Sequence, residues 1–519
     1  MHHKYSKFIY SFSFVIAFLV SLLHILFCTD IYNDVAYAYL PMVQNFVAGN
    51  WKAAFTGLPI LVPTMAGFIA KTGINEFTSM MIVSCVFYLA TIPVVYHFVK
   101  YFFPEGGYAA WGALLYAIAP KIIRFSCTGL LNSSRNFFLL LSIYLIFSYS
   151  RDSKFIKLVY LGLSMAGLSL ARGEGGLAVP IIIAGLAVLI FAAKWSKLNI
   201  KISAKILITC LVPICVFVIA LTPRVLQTYI NFGVPFIDAR QMVFFEKYTE
   251  FRLNCSWQEV VNPKLFPRIS YKRYIPDRKQ QAPIISMKRI NKFLSCFIRG
   301  AYELYFIFAA LGAFFWFYKR KGYIIEHCII AFIILIFCIV YYCIVSSYRY
   351  FTFILPLLMP FTLIGAREVI LLISKYVKEK YLKLGLAISF TILVFAQVNN
   401  GLNRVLSHKY DYEKDCGIWL KNYVNKSQLH SKLKLKTPVL YAGIPALGYW
   451  SKLNFEPFGL PSNNEGKSAF KKYLEENVDY IVLDKKDKKA NDFVASIGSF
   501  REVGNPYKKY LNIYSAITP

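Results

Sequence analysis

Acidic residues are scarce in this sequence. Its 519 residues include 27 Asp and Glu against 58 Lys and Arg, a formal net charge of +31. In a soluble protein such an excess would suggest a nucleic-acid partner. Hydrophobic residues, however, make up 57% of the chain, above the roughly 45–50% of an ordinary soluble domain. We therefore expect a membrane protein whose basic residues lie in cytoplasmic loops and at any site for an anionic lipid headgroup.

Motifs for nucleotides and metals are also missing. The sequence contains no Walker or GxGxxG pattern, and its eleven cysteines form no CxxC or Cys/His metal spacing. These absences exclude a P-loop or Rossmann nucleotide site and a cysteine-based zinc site. The cysteines are expected to be packing residues, although Cys255 and Cys296 share one large loop and could pair in an oxidising compartment.

Long apolar runs are abundant, and many approach the 18 to 20 residues (about 30 Å of helix) that a membrane span needs. The first run, 8–28, ends in "LFCTD" without a small-x-small cleavage site, so we interpret it as a retained helix rather than a signal peptide. Eleven spans are predicted, at 8–28, 78–99, 107–122, 133–150, 157–171, 175–193, 206–222, 301–318, 323–345, 349–373 and 384–398.

The distribution of Lys and Arg predicts the orientation of these spans. Four basic clusters, at 151–157, 194–205, 319–321 and 375–383, fall on one side if two spans separate each successive pair. The N-terminal lysines share that side only if the proline-containing segment 56–70 does not cross the membrane, so we interpret it as interfacial or re-entrant. The N-terminus is then cytoplasmic and the C-terminus is outside.

This topology leaves two loops and a C-terminal segment on the outer face. The predicted membrane domain is 1–398, with outer loops 29–76 and 223–300, and the predicted extracytoplasmic domain is 399–519. The latter is polar and Lys-rich, with short apolar runs such as "TPVLYAG" and "VDYIVLD" bounded by turn residues. These runs predict a small α/β domain.

Asp34 is the first candidate functional residue. It precedes Val35, Tyr39, Met42, Val43 and Phe46, whose helical spacing predicts a surface helix. Asn33 or Asp34 could cap that helix, a contribution of about 1 kcal/mol. Alternatively, Asp34 could act as a general base at the lipid boundary, a role less expected of Asp30 because it lies nearer the first span.

Ionisable residues at span ends form a second candidate set. Each could be a charged group that reaches from a span end to the interface, or together they could line an outward cavity for a lipid-linked phosphate. The set comprises Lys121, Arg124, Arg172, Glu174, Arg224 and Arg349.

Several stretches, in order, resemble the GT-C polyprenyl-phosphate-sugar glycosyltransferases, which include the family 39 protein mannosyltransferases and the bacterial aminoarabinose lipid A transferase. The resemblance covers roughly 30–400. The matching stretches are "NDVAYAYLPMVQNFVAGNWKAAF", "SSRNFFLLLSIYL", "ARGEGGLAVP", "TPRVLQTYINFGVPF" and "YRYFTFILPLLMPF".

The resemblance implies a GT-C type fold and a transferase whose donor sugar is carried on a polyprenyl phosphate. Asp34 matches the catalytic base, and Arg349 and Tyr350 match a basic and aromatic pair expected near the donor phosphate. Arg172, Glu174 and Arg224, with Lys121 and Arg124, are the expected cavity residues.

A single displacement at the anomeric carbon would invert its configuration, and the acceptor would be a lipid, a glycan or a protein. No cofactor is implied with certainty, and a divalent metal is compatible with the resemblance without being indicated. The family spans bacteria and eukaryotes, and the short outer loops and the lack of an appended repeat domain favour a bacterial inner membrane, with the C-terminus in the periplasm. The chain departs from the family at Asn132, Ser133 and Ser134, where many relatives carry a second carboxylate, and at Asn33, where relatives often have Arg.

Other functions remain open at this point. A ligase or polymerase of lipid-linked glycans would share a basic outer cavity. A transporter or flippase is disfavoured because the sequence shows no inverted repeat and no charge in the middle of a predicted span. A non-catalytic paralogue would account for the missing second carboxylate.

Overall fold

The computed structural model falls into two compact units. It describes residues 2–32, 34–54, 58–104, 107–194, 200–232, 235, 237, 287–319, 323–344, 347–406, 411–430, 438–442, 445–451, 453–457 and 464–517. Of these, residues within 1–27, 57–251 and 283–403 form the first unit, and residues within 28–56 and 404–519 form the second. The boundary predicted at residue 398 stays a prediction, and the contacts add that residues 28–56 pack in the same unit as the C-terminal residues.

Helices dominate the described chain. In chain order they are α1 (His2–Phe27), α2 (Leu40–Val47), α3 (Trp51–Ala54), α4 (Leu61–Ala70), α5 (Glu76–Phe102), α6 (Gly107–Ile118), α7 (Pro120–Ser126), α8 (Asn132–Asp152), α9 (Phe155–Ala171), α10 (Val179–Lys194), α11 (Ile200–Phe232), α12 (Met287–Ala301), α13 (Glu303–Lys319), α14 (Ile324–Ile344), α15 (Ile354–Ile373), α16 (Glu379–Leu406), α17 (Asp411–His430), α18 (Pro445–Ser451), α19 (Asn464–Asn477) and α20 (Lys488–Ala495). A π-helix covers Val35–Tyr39, and 3-10 helices cover Gly173–Ala178 and Tyr348–Phe353.

The predicted polytopic helical body is confirmed. Within the described ranges, seven helices are long and apolar enough to cross a membrane, or eight if a pair bent by 89° counts as one span. The seven are Tyr5–Phe27, Glu76–Phe102, Gly173–Ala192, Ile206–Ile230, Ile324–Tyr342, Tyr348–Ile373 and Glu379–Asn403. The predicted spans 133–150 and 157–171 lie on α8 and α9, and the predicted span 107–122 is broken at Ala119 between α6 and α7. In the segment 56–70, which was predicted to be interfacial or re-entrant, α4 has 10 residues. This is about half the length that a span needs.

One predicted loop contains a helix. The predicted outer loop 223–300 includes residues 287–300, but α12 occupies Met287–Ala301. The reason is a helical pattern within a basic segment: Ile290, Phe293, Leu294 and Phe297 recur at the spacing of one helix face. Helix α12 ends at Ala301. The next residue, Tyr302, has a φ of 63°, and α13 runs at 89° to α12.

A backbone contact joins α13 to α15 in the first unit. A Cβ atom built on Gly312 would run into the carbonyl oxygen of Phe361, and one built on Gly365 would run into that of Phe308. Small residues allow two helix backbones to approach this closely, and they are common at the interfaces between membrane helices. Since the 3-10 helix Tyr348–Phe353 runs directly into α15, this contact also fixes the position of that helix.

The second unit contains the predicted α/β structure. Its strands are β1 (Val439–Ala442), β2 (Asn454–Pro457), β3 (Tyr480–Asp484), β4 (Phe500–Glu502) and β5 (Leu511–Ala516). They form one sheet in the order β2-β1-β3-β5-β4. Strand β1 pairs parallel with β2 and β3, and β5 pairs antiparallel with β3 and β4. The prediction of a small C-terminal α/β domain is confirmed, with the two quoted apolar runs forming β1 and β3.

Alternation in β3 explains why this sheet is covered on both faces. Tyr480 and Val482 belong to one hydrophobic core, which includes Leu420 of α17. Ile481 and Leu483 belong to a second core, which includes Leu474 of α19 and Val494 of α20. Because successive strand residues point to opposite faces, a short apolar run can serve both cores.

Candidate functional site

Helix α9 is followed by a turn that places a buried ion pair in the first unit. Arg172 has extended backbone geometry directly after Ala171, and the 3-10 helix Gly173–Ala178 follows. The Nε of Arg172 lies 2.5 Å from Oε1 of Glu174, and both side chains are less than one tenth exposed. The contact is a close ion pair rather than a directed hydrogen bond. Nη1 of Arg172 also donates to Oδ1 of Asn132 at 3.0 Å.

The 3-10 helix Tyr348–Phe353 brings a second arginine to the same place. Nη2 of Arg349 donates to the hydroxyl of Tyr350 at 2.9 Å, and its guanidinium carbon lies 4.9 Å from the centre of that ring. The guanidinium carbon of Arg172 lies 4.7 Å from the same ring centre. Tyr350 therefore contacts both guanidinium groups, an arrangement favoured by cation–π attraction.

Arg135 in the first turn of α8 is fully buried beneath these groups. Its Nη1 donates to the hydroxyl of Tyr341 at 2.9 Å and to the carbonyl of Tyr350 at 2.8 Å. Its Nη2 donates to Oγ1 of Thr352 and to Oδ1 of Asn136, both at 3.1 Å, and its Nε donates to the same Asn136 oxygen at 3.3 Å. The hydroxyl of Tyr341 in turn donates to Oε1 of Glu174 at 3.0 Å, so one network links α8, α14 and both 3-10 helices.

We call this set the arginine cluster: Asn132, Arg135, Arg172, Glu174, Tyr341, Arg349, Tyr350 and Thr352. Within this set, three guanidinium groups and one carboxylate lie in one network. Asn132 occupies the position where a second carboxylate was sought. Its Oδ1 accepts from Arg172, and its Nδ2 donates to the carbonyl of Arg349 at 3.1 Å.

The chemistry of the arginine cluster suits an anion. Guanidinium groups present forked donors that match phosphate and carboxylate oxygens. Across the described ranges, no group of three or more His, Cys, Asp or Glu side chains is placed to hold a metal ion. The donors gathered here are those of an anion site.

Lys121 and Arg124 form a neighbouring group. The Nζ of Lys121 lies 4.9 Å from the ring centre of Tyr348, the residue before Arg349. Arg124, Arg299 and Glu303 are all close enough to act electrostatically on Lys121. Lys121 of α7 therefore lies at the start of the Tyr348–Phe353 helix, where Tyr348 directly precedes Arg349.

Arg224 has different contacts from the arginine cluster. Its Nη2 donates to the carbonyl of Leu58 at 3.0 Å, its Nε to the carbonyl of Ile237 at 3.1 Å, and its Nη1 to Oε1 of Gln227 at 3.1 Å. Its side chain is buried. These bonds to backbone carbonyls tie α11 to the residues before α4.

Asp34 belongs to the second unit and is half-buried. It precedes the π-helix Val35–Tyr39 with helical backbone angles, and its side chain makes no capping hydrogen bond to that helix. The alternative that Asp34 is a helix cap is therefore wrong. Asn33 and Cys255 lie outside the described residues, so their predicted roles remain predictions.

The surroundings of Asp34 are built from two distant parts of the sequence. The residues that the helical spacing places on one face are all buried, namely Val35, Tyr39, Met42, Val43 and Phe46. Helix α18 packs against the π-helix. The hydroxyl of Thr29 donates to Oδ1 of Asp411 at the start of α17. π-Helices in proteins often mark functional sites, and here one begins beside the candidate carboxylate.

No protein-family model matches the sequence, and no curated protein matches it. The structure, in contrast, is similar to that of ArnT from Cupriavidus metallidurans bound to undecaprenyl phosphate. The TM-score is 0.61 at 12% identity, covering 99% of this chain and 98% of that chain. It is also similar to the oligosaccharyltransferase AglB from Archaeoglobus fulgidus in complex with an inhibitory peptide and a dolichol-phosphate. There the TM-score is 0.52 at 11% identity, covering 98% of this chain and 74% of that one.

Both structures are of GT-C superfamily members. The chain has the GT-C fold. Since ArnT and this chain cover each other almost completely, the likeness includes the helical body and the C-terminal part. The resemblance proposed from five sequence stretches is thus confirmed at the level of fold.

Sequence reasoning about this GT-C chain missed Arg135 and Tyr341. Arg135 was present in the quoted stretch "SSRNFFLLLSIYL" but was not selected, because only span-end charges were considered. Its signal was available: it is an ionisable residue just inside the predicted span 133–150, and such residues usually face the bundle interior. Tyr341, within the predicted span 323–345, gave no comparable signal.

Proposed function

We propose that this chain is an inverting membrane glycosyltransferase. It takes a sugar from a polyprenyl-phosphate donor and transfers it to a lipid, glycan or protein acceptor on the outer face of the membrane. The observation that carries the proposal is the arginine cluster, a site for an anion inside a GT-C fold. The ArnT structure contains undecaprenyl phosphate and the AglB structure contains a dolichol-phosphate, which supports a lipid-linked phosphate as the anion.

In this proposal Arg349 and Arg172 bind the donor phosphate. Arg349 is half-buried, so its guanidinium can meet a ligand, and Tyr350 holds both guanidinium groups against one ring. Glu174 orients Arg172 through their ion pair. Lys121 and Arg124 extend the positive charge along the Tyr348–Phe353 helix. The contacts of Arg224 with backbone carbonyls suit a positioning residue.

The reaction proposed is a single displacement. Asp34 takes the proton from an acceptor hydroxyl, and the oxygen attacks the anomeric carbon of the sugar. The bond from that carbon to the phosphate oxygen breaks, and the polyprenyl phosphate leaves with the bonding electrons. Guanidinium groups stabilise the charge that develops on the leaving phosphate. Attack from the face opposite the leaving group inverts the anomeric configuration.

The proposed setting is a bacterial inner membrane, with the N-terminus in the cytoplasm and the C-terminal domain in the periplasm. The basic clusters of the short loops support this orientation. Attachment of a reporter enzyme that works only in the periplasm, after residue 519 and separately within 151–157, tests it. We expect activity from the first fusion and none from the second.

The test of function is transfer by purified protein in nanodiscs from a panel of radiolabelled polyprenyl-phosphate sugars. Wild type is compared with Asp34→Asn, and Asp30→Asn serves as the matched carboxylate four residues away. We expect one donor to be used, turnover to be lost in Asp34→Asn, and donor binding to persist in that variant. The anomeric configuration of the product, read by NMR, tests inversion.

Other results would reject the assignment. If wild type uses none of the monophosphate donors but uses a diphosphate-linked oligosaccharide, the chain is a ligase or polymerase of lipid-linked glycans. If Asp34→Asn is as active as wild type, Asp34 is not the base. Solute-coupled uptake into proteoliposomes without sugar transfer would identify a transporter.

A further inference from the structure

Six lysines lie close together at one end of the sheet in the second unit. They come from the turn after β3, the first turn of α20 and the turn before β5. We call them the lysine face: Lys485, Lys486, Lys488, Lys489, Lys508 and Lys509, all of them exposed. Lys485 joins the two turns, because its backbone N–H donates to the carbonyl of Tyr510 at 2.9 Å and its Nζ donates to the carbonyl of Lys508 at 3.2 Å.

The carboxylates near these lysines are mostly engaged elsewhere. Asp484 accepts from the backbone N–H of Lys486 at 2.8 Å, and Asp487 caps α20 by accepting from the N–H of Ala490 at 3.1 Å. Glu502 lies 3.7 Å from Nζ of Lys508. Among the described residues, no carboxylate lies within ion-pair distance of Lys486, Lys488 or Lys489. The lysine face therefore has a net positive charge.

This charge does not serve the local fold. Lys488 and Lys489 occupy the first turn of α20, where the helix dipole disfavours positive charge. Six like charges on these three neighbouring segments also repel one another. The arrangement costs the second unit some stability, and a negatively charged partner would offset that cost.

The composition of the face indicates what kind of partner fits. It consists of lysines, whose hydrated ammonium groups act as flexible point charges, rather than arginines, which suit fixed bidentate recognition. Lysines that are all exposed match an extended anionic surface better than a pocket. Tyr510 adds an exposed aromatic ring: its ring centre is 4.6 Å from that of Tyr412 and 5.6 Å from Nζ of Lys509. Tyrosine beside lysine is typical of groups at the headgroup level of a bilayer.

We propose that the lysine face binds the anionic headgroups of the bilayer in which the chain resides. The second unit is continuous with two candidate membrane helices, α1 and α16, so it cannot diffuse away from that bilayer. Even a weak charge attraction at this high local concentration is enough to hold a surface against the headgroups. This binding is independent of the transfer reaction.

Photocrosslinking of the full chain tests the proposal. Tyr510 is replaced by p-benzoylphenylalanine, and the protein is placed in nanodiscs of equal parts phosphatidylglycerol and phosphatidylcholine. Mass spectrometry then identifies the lipid adducts. We expect phosphatidylglycerol adducts to exceed phosphatidylcholine adducts about fivefold, the factor that one lysine near an anionic surface supplies. The ratio should approach one in about 0.5 M salt, where the Debye length falls to roughly 4 Å.

Two double variants test whether lipid binding depends on the lysine face or on any exposed lysines of the second unit. Lys488→Gln with Lys489→Gln should move the adduct ratio toward one. Lys471→Gln with Lys472→Gln is the matched control, because these adjacent lysines lie on α19, which leads into the start of β3, whereas the lysine face lies at its end. The control should keep the wild-type ratio. The proposal is overturned by the absence of lipid adducts at Tyr510, by a wild-type ratio of one at low salt, or by an equal effect of both double variants.

Discussion

The arginine cluster and the lysine face are both rich in positive charge, but the charge is buried and hydrogen-bonded in the cluster and exposed on the face. In the cluster, Arg135 has no exposed surface and all of its nitrogens donate to fixed acceptors. On the lysine face, all six side chains remain exposed, and among the described residues no carboxylate lies within ion-pair distance of Lys486, Lys488 or Lys489. Charge of the same sign is therefore held rigidly in one unit and on an adaptable surface in the other.

The difference follows from the cost of desolvation. A guanidinium taken out of water must recover its hydrogen bonds from the protein, and its planar fork allows several fixed acceptors to do so. An exposed ammonium keeps its water and needs no partner, so its interactions are weak and sensitive to salt. Substitutions should consequently have large effects in the cluster and small ones on the face.

The largest effect is expected from Arg135→Lys. Lysine keeps the charge but cannot reach Asn136, Tyr341, Tyr350 and Thr352 together, so buried acceptors lose their donor. We expect the free energy of unfolding to fall by about 3 kcal/mol, measured by thermal denaturation in detergent. Lys489→Gln is the control, with an expected change below about 0.5 kcal/mol. Wild-type stability of Arg135→Lys would show that the buried guanidinium network does not hold the cluster together.

The ion pair between Arg172 and Glu174 should show the next largest effect. In a double-mutant cycle with Arg172→Gln and Glu174→Gln, each single change leaves a buried charge without its partner. We therefore expect a coupling energy of about 2 kcal/mol in the unfolding free energy of the four proteins. Lys157 and Asp152, whose ion pair of 2.6 Å is partly exposed, provide a matched cycle with an expected coupling below about 1 kcal/mol. Equal coupling energies in both cycles would show that burial does not strengthen the ion pair between Arg172 and Glu174.

A smaller effect is expected from Tyr350→Phe. This change removes the hydroxyl that accepts from Arg349 but keeps the ring that both guanidinium groups contact. We expect the affinity for a radiolabelled polyprenyl phosphate to fall about fivefold, the loss of one hydrogen bond. Tyr350→Leu, which also removes the ring, should weaken binding further. If both variants bind like wild type, Tyr350 does not position the arginines for the donor.

The smallest effect is expected on the lysine face. Lys488→Gln with Lys489→Gln should change the free energy of unfolding by less than about 0.5 kcal/mol in a neutral detergent, with a small gain favoured because repulsion is relieved. Thermal denaturation at low and high salt measures this. If the free energy of unfolding fell by more than about 1 kcal/mol, these lysines would support the fold. The lysine face would then not differ from Arg135 in its effect on stability.

Much of the fold could be predicted because its signals are local. Apolar runs long enough to span a bilayer mark most of the helices, and "VDYIVLD" marks β3 through its length and flanking turns. Helix α12 was missed because spans were selected by the length of apolar runs, and basic residues interrupt its apolar positions. The hydrophobic pattern of one helix face, Ile290, Phe293 and Phe297, was nevertheless present in the sequence.

The candidate site was less predictable, because counting spans assigns a residue to a side of the membrane and not to a lateral position. Arg172, Glu174, Arg349 and Tyr350 do share one network. Arg224, placed in the same set by the same argument, instead bonds to the carbonyls of Leu58 and Ile237. The π-helix beside Asp34 could not be predicted either, because a one-residue backbone insertion leaves little trace in hydrophobic spacing.

The contact of Gly312 with Phe361 and of Gly365 with Phe308 has a mechanical consequence for this molecule. Side chains between two helices act as compliant spacers that can change rotamer, but two touching backbones have nothing that can yield. Helices α13 and α15 can therefore neither slide nor roll against each other without separating. This rigid joint is separated from Arg349 only by the rest of the 3-10 helix Tyr348–Phe353, so α13 and α15 form a fixed frame against which α8, α9 and α14 hold the other residues of the arginine cluster.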